Sequence, residues 1–195
     1  EGYGLSETSP SASCNPTNSK AFTGTIGVPL PGTYFKLLDD DGHEVPAGHA
    51  GEIAIKGPQV MAGYWQRPDE TDKVMTPDGY FKTGDVGIID DNGFFKIIDR
   101  KKDMVLVSGF NVYPNEIEDV VAKLDGVLEC ACVGVLDEKS GEAVKLVIVK
   151  KNPDLTEAQV RAYCKENHTG YKQPKVVEFR TELPKTPVGK ILLRE

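Results

Sequence analysis

Five short stretches of this chain combine side chains capable of binding or catalysis, and each also has a purely structural reading. Tyr3-Gly4-Leu5-Ser6-Glu7-Thr8 places an aromatic plane, a glycine that permits close backbone approach, a hydroxyl and a carboxylate in one short run. Such groups could stack on a nucleobase, bond a phosphate and hold Mg2+, which prefers carboxylate and phosphate oxygens. The alternative is a strand end leading into a polar loop. Asp78-Gly79-Tyr80-Phe81-Lys82-Thr83-Gly84-Asp85 sets a carboxylate just after Thr-Gly in an apolar setting. Asp85 could accept from both hydroxyls of a ribose diol through its two oxygens, or it could satisfy turn amides.

Asp99-Arg100-Lys101-Lys102-Asp103 crowds three cations beside two anions. The planar fork of Arg100 suits bidentate contacts with nucleotide oxygens. The same position could act as a hinge that absorbs backbone rotation, and the bland alternative is a solvated polar linker. In Val107-Ser108-Gly109-Phe110-Asn111-Val112-Tyr113-Pro114, Gly109 lies between a strand candidate and a helix entry. It signals either a tight turn or a backbone passing close to a ligand. Pro184-Lys185-Thr186-Pro187-Val188-Gly189-Lys190 is a Pro-bounded loop ending in Gly-Lys. It lacks the G-x-x-x-x-G-K-[ST] pattern of a phosphate-binding P-loop, and a lone lysine such as Lys190 usually serves solubility.

The elements that must position these residues change character along the chain. Residues 9–23, rich in Ser, Pro and Asn without periodicity, read as a surface loop. Residues 24–100 read as β-rich, with strand candidates at Glu52–Lys56 and Phe94–Asp99. Asp91-Asn92-Gly93 predicts a hairpin joining Val86–Ile89 to Phe94–Ile98, because Asn-Gly accepts positive φ cheaply. Pro68–Met75 hints at a helix with Asp69 as N-cap.

After Lys102 the pattern becomes mixed. Met104–Val107 is a strand candidate, and Pro114 opens a helix with Ile117, Val120, Val121 and Leu124 on one face, stopped by Gly126. Leu128–Val135 and Val144–Lys150 are further strands. Thr156-Glu157-Ala158-Gln159 forms a capping box, with Leu155 and Val160 placed for a hydrophobic staple, and Gly170 ends that helix. Lys175–Phe179 is a last strand candidate. The order is β-rich, then β-α-β-β-α-β, with a domain boundary at about Arg100–Asp103.

Composition bounds the function. Across 195 residues, 39% are hydrophobic and 27% charged, the balance of a folded domain or two small ones rather than a disordered chain. A formal charge of −7 without a Lys/Arg block argues against a nucleic-acid binder, whose affinity rests on phosphate neutralisation. Cys130-Ala131-Cys132 is not a CxxC pair and has no companion ligands for zinc, so a buried strand is expected there. Reduced thiols fit the cytosol. No apolar run approaches the roughly 18–20 residues of a membrane span. Glu1-Gly2-Tyr3-Gly4 lacks the features of a signal peptide, so the chain is expected to begin inside a longer protein.

Taken in order, these stretches resemble the adenylate-forming, acyl-activating superfamily of acyl- and aryl-CoA synthetases, luciferases and peptide-synthetase adenylation domains. Tyr3–Thr8, Gly51–Gly57 followed by Gly63-Tyr64-Trp65, Tyr80–Asp85, Asp99–Glu118 and Pro184–Lys190 are similar to its successive motifs and span essentially the whole chain. Residues Ile98–Glu118 are most similar to bacterial long-chain fatty acid–CoA ligases.

The resemblance implies an α+β chain. A β-rich, distorted barrel-like remnant of a large AMP-binding N-terminal domain (1–101) would precede a small, mobile α+β C-terminal domain (102–195). It implies ATP and Mg2+ as cofactors, coenzyme A as co-substrate and a fatty acid as the acid activated. Tyr3 would stack on adenine, Gly4 would border the nucleotide, Ser6 would bond phosphate or adenylate, and Glu7 would hold Mg2+. Asp85 would bind ribose and Arg100 would contact the nucleotide. Lys102 would be the hinge, Gly109 would approach the pantetheine channel, and Lys190 would be the catalytic lysine. Ser6 stands where the superfamily usually has Thr, and the hydroxyl survives. The phosphate loop and acyl tunnel would precede Glu1, so the piece alone is expected to be inactive. The resemblance also admits a cytoplasmic location with peripheral association at the inner face of the cell membrane, and a homodimer. An aryl-CoA ligase, a peptide-synthetase adenylation domain and a non-catalytic nucleotide-binding or scaffold module are the competing readings.

Overall fold

Short β-prone runs punctuated by glycine turns set the architecture of the first half, and helices enter the pattern properly only in the second. A computed structural model describes residues 1–187, 189 and 191–192. Lys190 lies outside the described residues. The chain divides into two units, Glu1–Lys101 and Lys102–Glu195.

In the first unit, β1 (Gly2–Gly4), β2 (Ser11–Cys14) and β3 (Val28–Pro29) form an antiparallel sheet in that order. A second antiparallel sheet runs β4 (Tyr34–Leu38), β5 (Gly51–Lys56), β6 (Phe81–Ile89), β7 (Phe95–Arg100). A bridge between Gly27 and Phe95 stitches the two open sheets together. Ala12, Leu37, Ile53, Ile55 and Phe95 fill the core between them, and Phe35 meets Phe95 edge-on at 5.0 Å. Gly93 turns the β6–β7 hairpin at φ 81°, as its Asn-Gly pair predicts, while Asp90 Oδ1 accepts from the amides of Asn92 and Phe94.

Two local expectations fail here. The Ser/Pro-rich loop at 9–23 contains β2, because pairing with β1 and β3 buries Ala12 and Ser13 despite their small, polar-biased neighbourhood. The helix at Pro68 is real, α1 (Pro68–Val74), but its N-cap is Arg67 with no side-chain cap. Asp69 sits inside the first turn, where its charge suits the helix dipole instead.

In the second unit, β8 (Val105–Val107), β9 (Phe110–Val112), β10 (Val127–Asp137), β11 (Gly141–Lys150) and β12 (Val176–Arg180) build one sheet, with β12 parallel to β11. Helices α2 (Pro114–Val121) and α3 (Glu157–Asn167) pack on it through Ile117, Val121, Val160 and Cys164 against Leu146 and Ile148. The alternate residues Val147 and Val149 face the other way, onto Ala131, Leu183 and Ile191. Thr156 caps α3 through the expected box with Gln159, and both staple residues, Leu155 and Val160, are buried. The helix ends at Asn167, three residues before the expected Gly170. Cys130 and Cys132 lie buried on β10, as expected, and all four thiols are free.

The expected β-α-β-β-α-β order gains a strand, β9. Ser108 (φ 52°) and Gly109 (φ 85°) both adopt left-handed backbone, which folds β8 back on β9 in a two-residue hairpin. Gly109, expected at a tight turn or beside a ligand, thus sits in a tight turn, at the tip of this hairpin. Among the described residues no helix is long and apolar enough to cross a membrane.

Candidate functional site

A β-bulge builds the central feature of the first unit. Lys82 pairs with Ala54 and Val86 with Glu52, so Thr83, Gly84 and Asp85 of β6 all oppose the single Ile53 of β5. Such bulges re-aim side chains. The bulge is locked from within: Thr83 Oγ1 donates to the Ile53 carbonyl at 2.8 Å and accepts from the Asp85 amide at 3.1 Å. Gly84 takes φ 76°, and its amide donates to Glu52 Oε1 at 3.1 Å.

Asp85 is left with its side chain 13% exposed and two partners from distant chain. The Tyr3 hydroxyl, from β1, donates to Oδ2 at 2.5 Å. Arg100 Nε, from the facing position on β7, lies 3.6 Å from Oδ1. Burial, reinforced by the Asp85 carboxylate, pushes the Tyr3 hydroxyl well above the usual tyrosine range, so it stays a donor. Each Asp85 oxygen retains acceptor capacity beyond these contacts, as a diol would require. The Arg100 guanidinium is mostly exposed, so its pairing with Asp85 adds little stability.

Glu7 occupies a short 3-10 turn, Ser6–Thr8. Its Oε1 accepts from the Tyr64 hydroxyl at 3.0 Å, and its carbonyl accepts from the Met61 amide at 2.8 Å. Burial and the Glu7 carboxylate together raise the Tyr64 pKa. The second carboxylate oxygen gives a hard cation a ligand of the right chemistry. Thr8 is the fully buried member of the turn and ties the Leu5 amide and carbonyl to the Pro10 carbonyl. Ser6 is exposed beside it. Gly4 has a structural explanation: a Cβ there would lie 1.7 Å from the Pro10 carbonyl oxygen. The close approach that Gly4 permits is between two segments of the chain itself.

A third group was not legible in the sequence. Buried Glu52, the second residue of β5, accepts from Lys101 Nζ at 3.0 Å, and Asp40 binds the same ammonium at 2.8 Å. Burial opposes the Lys101 charge, but the two carboxylates outweigh it and raise its pKa. Lys101 thus anchors the end of the first unit, and the boundary falls directly before Lys102. The available signal was a carboxylate directly before the apolar run Ile53–Ile55. Tyr64 had a signal too, the Gly63-Tyr64-Trp65 run, but nothing local pairs it with a residue 57 positions away.

The structure therefore brings Tyr3, Asp85 and Arg100 together and sets Glu7 with Tyr64. Lys102 and Gly109 belong to the second unit, with Gly109 exposed at its hairpin tip and nothing within 4 Å of where its Cβ would be. Among the described residues near the C-terminus, Lys185 and Ile191 form a bridge and the Gly189 amide donates to the Thr186 carbonyl at 2.8 Å. The sequence profile of the AMP-binding enzyme matches residues 1–65, and that of the AMP-binding enzyme C-terminal domain matches residues 116–190. The chain belongs to the AMP-binding enzyme family.

Within that family, it is 58% identical over its whole length to a long-chain-fatty-acid–CoA ligase of Escherichia coli O6:H1, of which it covers 35%. A feruloyl-CoA synthase of an Amycolatopsis species is 40% identical over the whole chain, which covers 40% of that protein. The structure of ATP-bound MatB from Rhodopseudomonas palustris matches with a TM-score of 0.89 and 39% identity, over 97% of this chain and 38% of that one. This AMP-binding enzyme chain thus spans about a third of the length of the curated relatives it matches.

Proposed function

We propose that this chain forms the ribose-side half of the ATP site and the C-terminal catalytic domain of an AMP-forming long-chain fatty acid–CoA ligase. The observation that carries the reading is the convergence of Tyr3, Arg100 and Asp85 on one bulged strand. An aromatic ring, an acceptor pair and a guanidinium there match a base, a ribose diol and nucleotide oxygens respectively. The higher identity to fatty acid ligases than to the feruloyl synthase supports a fatty acid as the substrate.

In the proposed reaction, a carboxylate oxygen of the fatty acid attacks the α-phosphorus of ATP and pyrophosphate leaves. The sulfur of coenzyme A then attacks the acyl carbon, its proton is lost, and AMP leaves. Tyr3 holds adenine, Asp85 the ribose, Arg100 and Ser6 nucleotide oxygens, and Glu7 would carry Mg2+, which neutralises phosphate charge when bound. Lys190 supplies a cation where charge develops in the first step. Lys102 is the hinge about which the second unit turns between steps, and Gly109 then faces the pantetheine arm.

The test is Lys190→Ala in the complete enzyme, with the half-reactions assayed separately. Adenylate formation should fall by about 100-fold, the scale of a removed electrostatic stabiliser. Thioester formation from supplied acyl-adenylate should persist. Equal loss in both half-reactions would remove the assigned role.

A further inference from the structure

A 3-10 turn after α3, Gly170–Lys172, contacts both the Gly109 hairpin and the helix that follows it. The Tyr171 ring stacks on Phe110, the residue directly after Gly109, at 4.7 Å and 16°. Lys172 Nζ bonds both carboxylate oxygens of Glu116, at 2.6 and 2.8 Å, in the first turn of α2. One turn therefore holds the return strand of the hairpin and the helix that follows it.

The turn is itself well held. Tyr171 packs against the core cluster of the second unit. Arg161 of α3, paired with Glu157, donates to the carbonyls of Pro174 at 2.6 Å and Lys175 at 2.9 Å. The hairpin is not. Its strands have three residues each, β9 ends the sheet order, and Ser108 carries a left-handed backbone that non-glycine residues disfavour. Near the tip, the Ser108 amide donates to the Ser140 carbonyl at 2.8 Å, and the Phe110 ring on the exposed side of β9 has the Tyr171 stack.

We infer that Tyr171 is a positioning residue for the thioester-forming step, with Lys172 fixing the turn that presents its ring. Through Phe110 it sets the Ser108–Gly109 tip in the geometry that receives the thiol. The inference rests on the reading of Gly109 given above, and deepens it by naming what aims the tip. Neither residue touches the reacting atoms. The stack is a ring-on-ring contact, so it requires the aromatic plane of Tyr171 and not its hydroxyl.

The experiment uses the complete enzyme, with adenylate formation and transfer from supplied acyl-adenylate to coenzyme A measured apart. Tyr171→Ala should leave adenylate formation within about twofold and lower kcat/KM for coenzyme A about three- to tenfold, the scale of one aromatic pair. Tyr171→Phe should restore the transfer step. Phe110→Ala, at a side chain 55% exposed, removes the same stack without opening the core and should reproduce the split. Amide exchange across Phe110–Val112 should quicken in both alanine variants. Wild-type enzyme inactive in both half-reactions overturns the functional reading and this role with it. Wild type active in both, with the alanine variants slowing neither step or both alike, overturns the positioning role alone.

Discussion

The Tyr3 hydroxyl donates to Asp85 Oδ2 at 2.5 Å across 82 residues of chain, joining the first strand of the protein to a bulge in its sixth. The bond gives Tyr3 two separable attributes, a ring and a donor. Stacking on a base needs the ring, while orientation of Asp85 needs the donor.

Tyr3→Phe keeps the ring and deletes the donor. Asp85 retains Arg100 and its bulge, so KM for ATP in adenylate formation should stay within about twofold of wild type. Tyr3→Ala and Asp85→Ala should each raise it by about tenfold or more, the loss of one good contact. Tyr3→Phe as damaging as Tyr3→Ala would move the role from ring to hydroxyl.

Gly4 and Gly109 should respond to alanine differently. At Gly4 the new Cβ would lie 1.7 Å from the Pro10 carbonyl oxygen and 2.9 Å from the Ser11 Cα, which forces β1 off β2. Backbone offers no cheap relief, and the cost should reach about 3 kcal/mol. At Gly109 there is open space, and only the φ of 85° is strained, at about 1–2 kcal/mol. Thermal midpoints should therefore fall further for Gly4→Ala. A stable Gly4→Ala enzyme with weakened ATP binding would show that the glycine serves the nucleotide.

Asp78 predicts an acid-labile link on the surface of the first unit. Hydrogen bonds from Lys36 and Thr76 hold its carboxyl down to about 2. The folded pKa lies below the unfolded value, so the native state binds fewer protons in that window. The stabilisation is complete above about pH 4 and is lost as pH falls through about 2. Urea midpoints of wild type and Asp78→Asn, compared between pH 6 and pH 2.5, should converge on acidification. Parallel curves would mean the Lys36 pairing contributes nothing.

Much of the second unit was legible because its signals are local. The Thr156–Gln159 capping box and its staple act within one helical turn, and the Pro114 helix carries its apolar stripe in the sequence. The Asn92-Gly93 turn is equally self-contained. Strand β9 was missed because the left-handed Ser108 beside Gly109, which completes the hairpin turn, has no signature in residue type.

Asp85 marks the division most clearly. The sequence by itself determined that a carboxylate follows Thr-Gly in a β-prone run, that an aromatic, a hydroxyl and an acid cluster at the start of the chain, and which family these motifs resemble. That three residues of β6 face one of β5, turning Asp85 toward Tyr3 and Arg100, follows from the folded sheet alone. The tertiary fold likewise decided that Glu7 belongs with Tyr64, and that Gly4 yields space to Pro10. Side-chain-to-backbone bonds across a few residues are encoded where they act. Partners 57 or 82 residues apart are fixed by strand order and register, which depend on how the whole sheet buries its apolar face.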